Sequence, residues 1–266
     1  MYAMLTVFAA LWGAAAGLLV PRAAYRFSVD PEDAWRDTCP AGHALTGAAR
    51  GWLGSTRCAP CAAVPVPAGG EPGGPEAGED LARPAARYAP GVLVPVVTAL
   101  ACAVLAAGTG LRPELVVWLL LAPVGVLLAT IDRRVHRLPD RLTLPAAGAV
   151  TVLLGVAALL PEHGGSWLSA LLGGAALGAF YFLLFLINPN GMGFGDVKLA
   201  LSLGVALGWY GWAVVFAGGF AGFLLGAVYG FGLMVLKRAG RKTGIPFGPF
   251  MISGALLGLL LGGLTA

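Results

Sequence analysis

Eight stretches of the chain, at about 3–20, 91–109, 114–131, 142–160, 167–187, 197–210, 213–236 and 249–263, are almost unbroken runs of apolar residues. A helix needs roughly 17 to 25 such residues to cross a bilayer. Most of these runs approach that length, the sixth and eighth being short. Only 11% of the 266 residues are charged and 58% are hydrophobic, against about 25% charged in a soluble domain. A core of this size cannot hide that imbalance, so lipid must be the solvent for much of the surface. In lipid the backbone has to close its own hydrogen bonds, which leaves helices or a closed barrel. Barrel strands need only about 10 residues and alternate in polarity; these runs are longer and do not alternate. The expectation is an all-α integral membrane protein with about eight transmembrane helices and a small cytoplasmic loop domain. Residues 1–20 carry no basic segment before the apolar run, and Val20-Pro21-Arg22 is a poor cleavage site, so they read as a retained first helix.

Charge sets the parity of the spans. The stretch 197–236 fits one bent helix or two spans turning near Trp209-Tyr210-Gly211-Trp212. With two spans there, the loops at 21–90, 132–141, 188–196 and 237–248 share one side. That side then holds sixteen of the seventeen basic residues, leaving Arg112 alone opposite. The positive-inside bias makes it the cytoplasmic side, with both termini outside. The net charge of +4 is thereby accounted for by orientation and anionic headgroups, with no nucleic acid as partner.

The loop at 21–90 is the one sizeable polar segment. Residues 62–82 are dominated by Pro, Gly, Ala and Glu and read as a linker. The remaining module of about forty residues is too small for a good core without a staple. Cys39, His43, Cys58 and Cys61 supply three thiolates and an imidazole, a donor set that suits tetrahedral zinc. Free thiols are the competing account. Cys102, inside an apolar run, reads as a packing residue.

Outside that loop the acidic residues are Glu114, Asp132, Asp140, Glu162 and Asp196. Glu114 and Glu162 fall on the outer side. The other three fall at the basic ends of apolar runs, where ionisation is costly unless they meet water, a partner or one another. Asp140 follows Pro139 and reads as a helix cap. Asp132 ends a long apolar run, where the helix dipole disfavours a carboxylate. Asp196 follows Gly193-Phe194-Gly195 at the start of the next run; its glycines permit tight turns and close approach of another chain. Singly, a salt bridge from Asp132 to Arg133, Arg134 or Arg137 and a capping role for Asp196 would suffice. Together, two carboxylates at one depth and in contrasting settings suit general acid/base chemistry.

With these residues assembled, the chain resembles the type IV prepilin peptidase family of membrane aspartyl proteases. The resemblance rests on Ile131-Asp132, Leu138-Pro139-Asp140-Arg141-Leu142-Thr143-Leu144-Pro145, Gly193-Phe194-Gly195-Asp196-Val197-Lys198-Leu199 and Gly244-Ile245-Pro246-Phe247-Gly248-Pro249, spread over roughly 115–260. It implies a peptidase domain over 91–266 with Asp132 and Asp196 as the catalytic pair. The substrates would be prepilins or pseudopilins, cut after a glycine that ends a basic leader, at the cytoplasmic face. Proteolysis would need no cofactor. Fuller family members also methylate the product with S-adenosylmethionine and carry two Cys-x-x-Cys pairs. Here the second pair is Cys58/Cys61, while the first keeps only Cys39, with Gly42 at its partner's place and His43 one residue later. S-adenosylmethionine enters only if methylation is retained, and that departure counts against it.

Two other functions compete. A presenilin-type protease also uses a Gly-x-Gly-Asp segment, but its Pro-Ala-Leu motif is absent. An ion-coupled transporter using Asp132 and Asp196 would place polar groups deep in several spans; here the acids gather at one boundary.

Overall fold

The computed structural model describes residues 2–30, 32–63, 92–189, 191–236 and 245–266. Most of the linker at 62–82, and Lys237, Arg238, Arg241, Lys242 and Gly244, lie outside the described residues. Ten helices are described: α1 (Tyr2–Phe27), the short α2 (Ala48–Gly51) and α3 (Ala59–Ala63), then α4 (Leu93–Thr109), α5 (Glu114–Val135), α6 (Asp140–Ala157), α7 (Trp167–Ile187), α8 (Phe194–Gly208), α9 (Trp212–Val235) and α10 (Gly248–Thr265). The chain is an all-α, multi-pass membrane protein. Six helices are long and apolar enough to cross: α1, α5, α6, α7, α9 and α10. Of the expected eight, six are thus met among the described residues. At 1.5 Å per residue, α4 with 17 residues and α8 with 15 rise about 25 and 22 Å, less than the roughly 30 Å of hydrocarbon.

The shortness of α8 has a packing reason. It is wrapped by α6, α7, α9 and α10, and most of its residues are buried in protein, so its length need not match the lipid. Its seam with α7 is backbone against backbone. A Cβ on Gly204 would stand 2.5 Å from the Gly173 carbonyl oxygen and 2.9 Å from the Gly174 Cα. The small residues of 173–178 thus pack within one chain, as small-residue faces in membranes do. The stretch 197–236 divides at Gly211, whose φ of 102° few side chains tolerate, giving two helices, of which α9 is long and apolar enough to cross.

The first helix runs on to Phe27, beyond the expected residue 20. Its last turns anchor residues 28–63: Arg22 donates to the carbonyls of Thr46 (2.6 Å) and Ser55 (3.3 Å), and Arg26 donates to that of Arg50 (3.2 Å). Both arginines are buried, and hydrogen bonds from a charged donor offset part of that cost. Arg26 also lies 4.2 Å over the Trp52 ring, and Phe27, Trp35 and Trp52 form an aromatic cluster. Arg141 lies 4.9 Å over Trp35, so residues 28–63 and the α5–α6 loop meet on one side of the bundle. At the other end Arg112 donates to the carbonyls of Gly263 (2.9 Å) and Ala266. There the buried Glu114 accepts from the Gly164 amide (3.0 Å) and the Tyr210 hydroxyl (3.4 Å), closing the α5 start onto the α6–α7 loop and the α8–α9 turn. Cys102 is fully buried in a small cluster with Ala9, Ala106 and Leu115.

Candidate active site and candidate metal centre

Asp132 sits in the last turn of α5 and Asp196 in the first turn of α8. Both line one cleft of about 480 Å³, closed by the α5–α6 loop, the Gly191–Gly195 turn and Ile245-Pro246-Phe247 before α10. Both are nearly buried, at 4% and 8% exposure, and they lie within electrostatic reach of one another. The sequence placed these two acids at one depth; the fold brings them into one cavity.

The salt bridge that would account for Asp132 alone is absent among the described residues. The ion pair found there joins Lys198 to Asp140 at 2.5 Å, leaving Asp132 without an arginine partner. Asp196 is not itself the N-cap residue: Gly193 occupies that position, the Asp196 amide bonds back to the Gly193 carbonyl, and the Asp196 carboxyl accepts from the Gly193 backbone. The cap expected of Asp140 is also absent. Pro139 is the N-cap of α6, its carbonyl taking the amides of Leu142 and Thr143, and Asp140 as the first helical residue turns to Lys198 on α8 instead. Lys198 also lies 4.8 Å over the Phe194 ring. The pair therefore ties α6 to α8 across the cleft mouth.

Of the glycines before Asp196, both of which line the cleft, one also has a packing role within the chain. Gly193 has an ordinary φ of −73°. A Cβ on Gly195 would stand 3.0 Å from the Leu138 Cβ and 3.4 Å from its amide nitrogen and carbonyl oxygen. Gly195 thus allows close approach of the protein's own α5–α6 loop, which sets the α8 start against the α5 end.

Three further groups at the site were not singled out from the sequence. The Gly248 amide donates to the Asp132 Oδ2 at 2.9 Å. His136 ends α5 in a left-handed conformation, φ 50° and ψ 40°, with its amide on the Asp132 carbonyl at 2.8 Å. Its ring lines the cleft within electrostatic reach of Asp132; the i, i+4 spacing of the two on one helix was the available signal. Tyr181, 1% exposed, stacks on Phe223 at 5.4 Å, packs on Phe247 and feels the Asp196 charge.

Cys39, His43, Cys58 and Cys61 come together, every pair of donor atoms within 4.8 Å. The Sγ atoms of Cys39 and Cys61 are 3.7 Å apart, and the His43 Nδ1 lies 3.6, 3.7 and 3.3 Å from Cys39, Cys58 and Cys61. Ligands about 2.0–2.3 Å from a tetrahedral zinc stand roughly 3.3–3.8 Å apart, so the donor set fits such an ion. Gly42, at φ 82°, makes the tight turn that returns His43 to Cys39, with its amide on the Cys39 carbonyl at 2.9 Å and the Cys39 amide on the His43 carbonyl at 2.8 Å. Burial pushes the Cys39 thiol up, but hydrogen bonds from the Ala41 and His43 backbone and from His43 and Cys58 outweigh it and bring it down to about 6. Burial, reinforced by Cys58 and Cys39, pushes Cys61 up to about 12. The cluster thus has one thiol readily ionised and one that a cation would have to deprotonate.

Comparison with known proteins fits this geometry. Residues 119–231 match the type IV leader peptidase family. The prepilin leader peptidase/N-methyltransferase of Aeromonas salmonicida (strain A449) is 37% identical over 147 residues, 54% of this chain and 48% of that protein. The protein of the same description from Aeromonas hydrophila is 37% identical over 147 residues (54% and 49%), and that of Pseudomonas putida 32% over 148 (54% and 48%). The match spans about half the length of these curated relatives. No solved structure matches the chain. The family segment contains Asp132, Asp140, Asp196 and Lys198, and ends before Gly248.

Proposed function

The chain belongs to the type IV leader peptidase family through residues 119–231, and from that premise we propose that it is an aspartic endopeptidase with Asp132 and Asp196 as its catalytic pair. Its substrates are prepilins or pseudopilins, cut after the glycine that ends the basic leader. The observation that carries this reading is the convergence of two nearly buried carboxylates from α5 and α8 on one cleft, with neither engaged in an ion pair among the described residues.

In this mechanism the scissile peptide enters the cleft as an extended segment. One carboxylate, ionised, takes a proton from water as the water attacks the peptide carbonyl. The other, protonated, supports the developing oxyanion, and the leaving amine gains its proton as the tetrahedral species collapses. The position of the two acids at the end of α5 and start of α8 keeps the charged leader out of hydrocarbon, whose crossing would be costly. The bias of the basic residues supports a cytoplasmic location for this end of the bundle, with the shorter α4 and α8 embedded beside the six longer helices. Cys39, His43, Cys58 and Cys61 would hold a zinc ion, whose part would be structural, stapling residues 28–63, which stand on Arg22 and Arg26 rather than on a large core. These residues form the cytoplasmic module, residues 1–20 the first span and 91–266 the peptidase domain.

Incubating the purified protein with a pilin precursor and weighing the product tests this reading. The expected product is the precursor shortened by its leader up to the glycine. A precursor left whole contradicts the proposal, and an added methyl group would show that the second activity is retained.

A further inference from the structure

Gly248 lies outside the family-matched segment, 116 residues along the chain from Asp132, yet it makes the backbone hydrogen bond that fixes the Asp132 carboxyl. As the first residue of α10 it carries an amide without an intrahelical acceptor. Asp132 fills that vacancy at 2.9 Å in a buried setting, where the helix N-terminus favours an acidic partner. The fit is close on the carbon side as well. A Cβ at position 248 would stand 2.8 Å from the Asp132 Oδ2, 3.2 Å from its Cγ and 3.5 Å from its Cβ, and its nearest neighbours are all Asp132 atoms.

We infer that Gly248 is a positioning residue for Asp132: its amide holds one carboxylate oxygen, and its missing side chain leaves the room in which that carboxylate sits. The inference rests on the reading of Asp132 as catalytic. It explains why α10 must begin with Gly followed by Pro249, since the helix start is the donor and any side chain there occupies the space of the acid.

The clash is of a particular kind. Gly248 has no positive φ among the backbone outliers, and the atoms a methyl group would meet belong to one movable side chain. The fold can therefore accept Gly248→Ala by swinging the Asp132 carboxyl aside, while catalysis cannot. Gly254 on the same helix differs: its Cβ would meet backbone atoms, the Gly222 nitrogen at 2.3 Å and the Gly218 carbonyl oxygen at 2.5 Å. Substitution there damages the α9–α10 packing itself.

The experiment compares Gly248→Ala, Gly254→Ala and Asp132→Asn in full-length protein, reading kcat and KM on a pilin precursor together with the melting temperature. Displacement of a catalytic group by about an ångström costs up to 10²-fold. Gly248→Ala is expected to lower kcat about 10- to 100-fold at a KM within about twofold of wild type and with an unchanged melting temperature, while Gly254→Ala melts lower. If Gly248→Ala cleaves at the wild-type rate while Asp132→Asn is inert, the positioning inference falls and the catalytic reading stands. If Gly248→Ala melts as low as Gly254→Ala, its part is structural and the inference falls too. Normal cleavage by Asp132→Asn removes the catalytic reading, and the inference with it.

Discussion

At the scale of single residues, what was legible were the groups whose chemistry conflicts with their surroundings. Asp132 and Asp196 stood out because a carboxylate beside an apolar run needs a reason, and the cluster of Cys39, His43, Cys58 and Cys61 because thiols and imidazole at those spacings form a ligand set. Both groups converge in the fold. Groups that act through backbone geometry were not legible. The Gly248 amide has no signature in residue type, because its partner depends on where α5 and α10 meet; for His136 the i, i+4 spacing to Asp132 was a signal, but its left-handed backbone was not. Asp140 was misread for a related reason. A Pro-Asp pair before a helix suggests a cap, but the capping position fell on Pro139, and the side chain found Lys198. For the cysteines the account predicts that Cys58→Ser, by removing one ligand, lowers zinc in the purified protein from about one equivalent to little or none and opens residues 28–63 to protease. Undiminished zinc in that variant would show that the cluster is not its site.

At the scale of the elements, hydropathy located the helices to within a few residues but not their ends. α1 overran its expected end by continuing through Pro21 as far as Phe27, because Arg22 and Arg26 find loop carbonyls to bind and extending the helix carries them there. α8 was expected at 197 and begins at Phe194, so Asp196 lies within its first turn. The reason α8 is short is likewise invisible in its sequence: a helix surrounded by protein is freed from the thickness of the bilayer. Its glycine seam with α7 makes a prediction. Gly204→Ala forces a methyl group against the Gly173 carbonyl and Gly174 Cα, and overpacking of that sort costs about 1–3 kcal/mol. Its melting temperature should fall, whereas Gly219→Ala, whose Cβ meets only Leu177 at 3.5 Å, should leave it unchanged. Equal melting of the two variants would mean that the seam yields more readily than its geometry implies.

For the whole molecule, the uneven distribution of basic residues was the most informative feature of the sequence. It demanded a break within 197–236, and the chain turns at Gly211. It also required the 21–90 and 132–141 loops to share a side. Arg141 over Trp35 joins them, Lys198 pairs with Asp140 from the same side, and Arg112 stands at the opposite end with the last residues of the chain. That arrangement brings the end of α5, the start of α8 and the start of α10 to one face, and the cleft of Asp132 and Asp196 is where they meet. The most direct test of the account is cleavage of a pilin precursor by Asp132→Asn and Asp196→Asn, each purified and shown to melt like wild type. The account predicts that both leave the precursor at its full mass while the wild-type protein removes the leader; cleavage at the wild-type rate by either variant would contradict it.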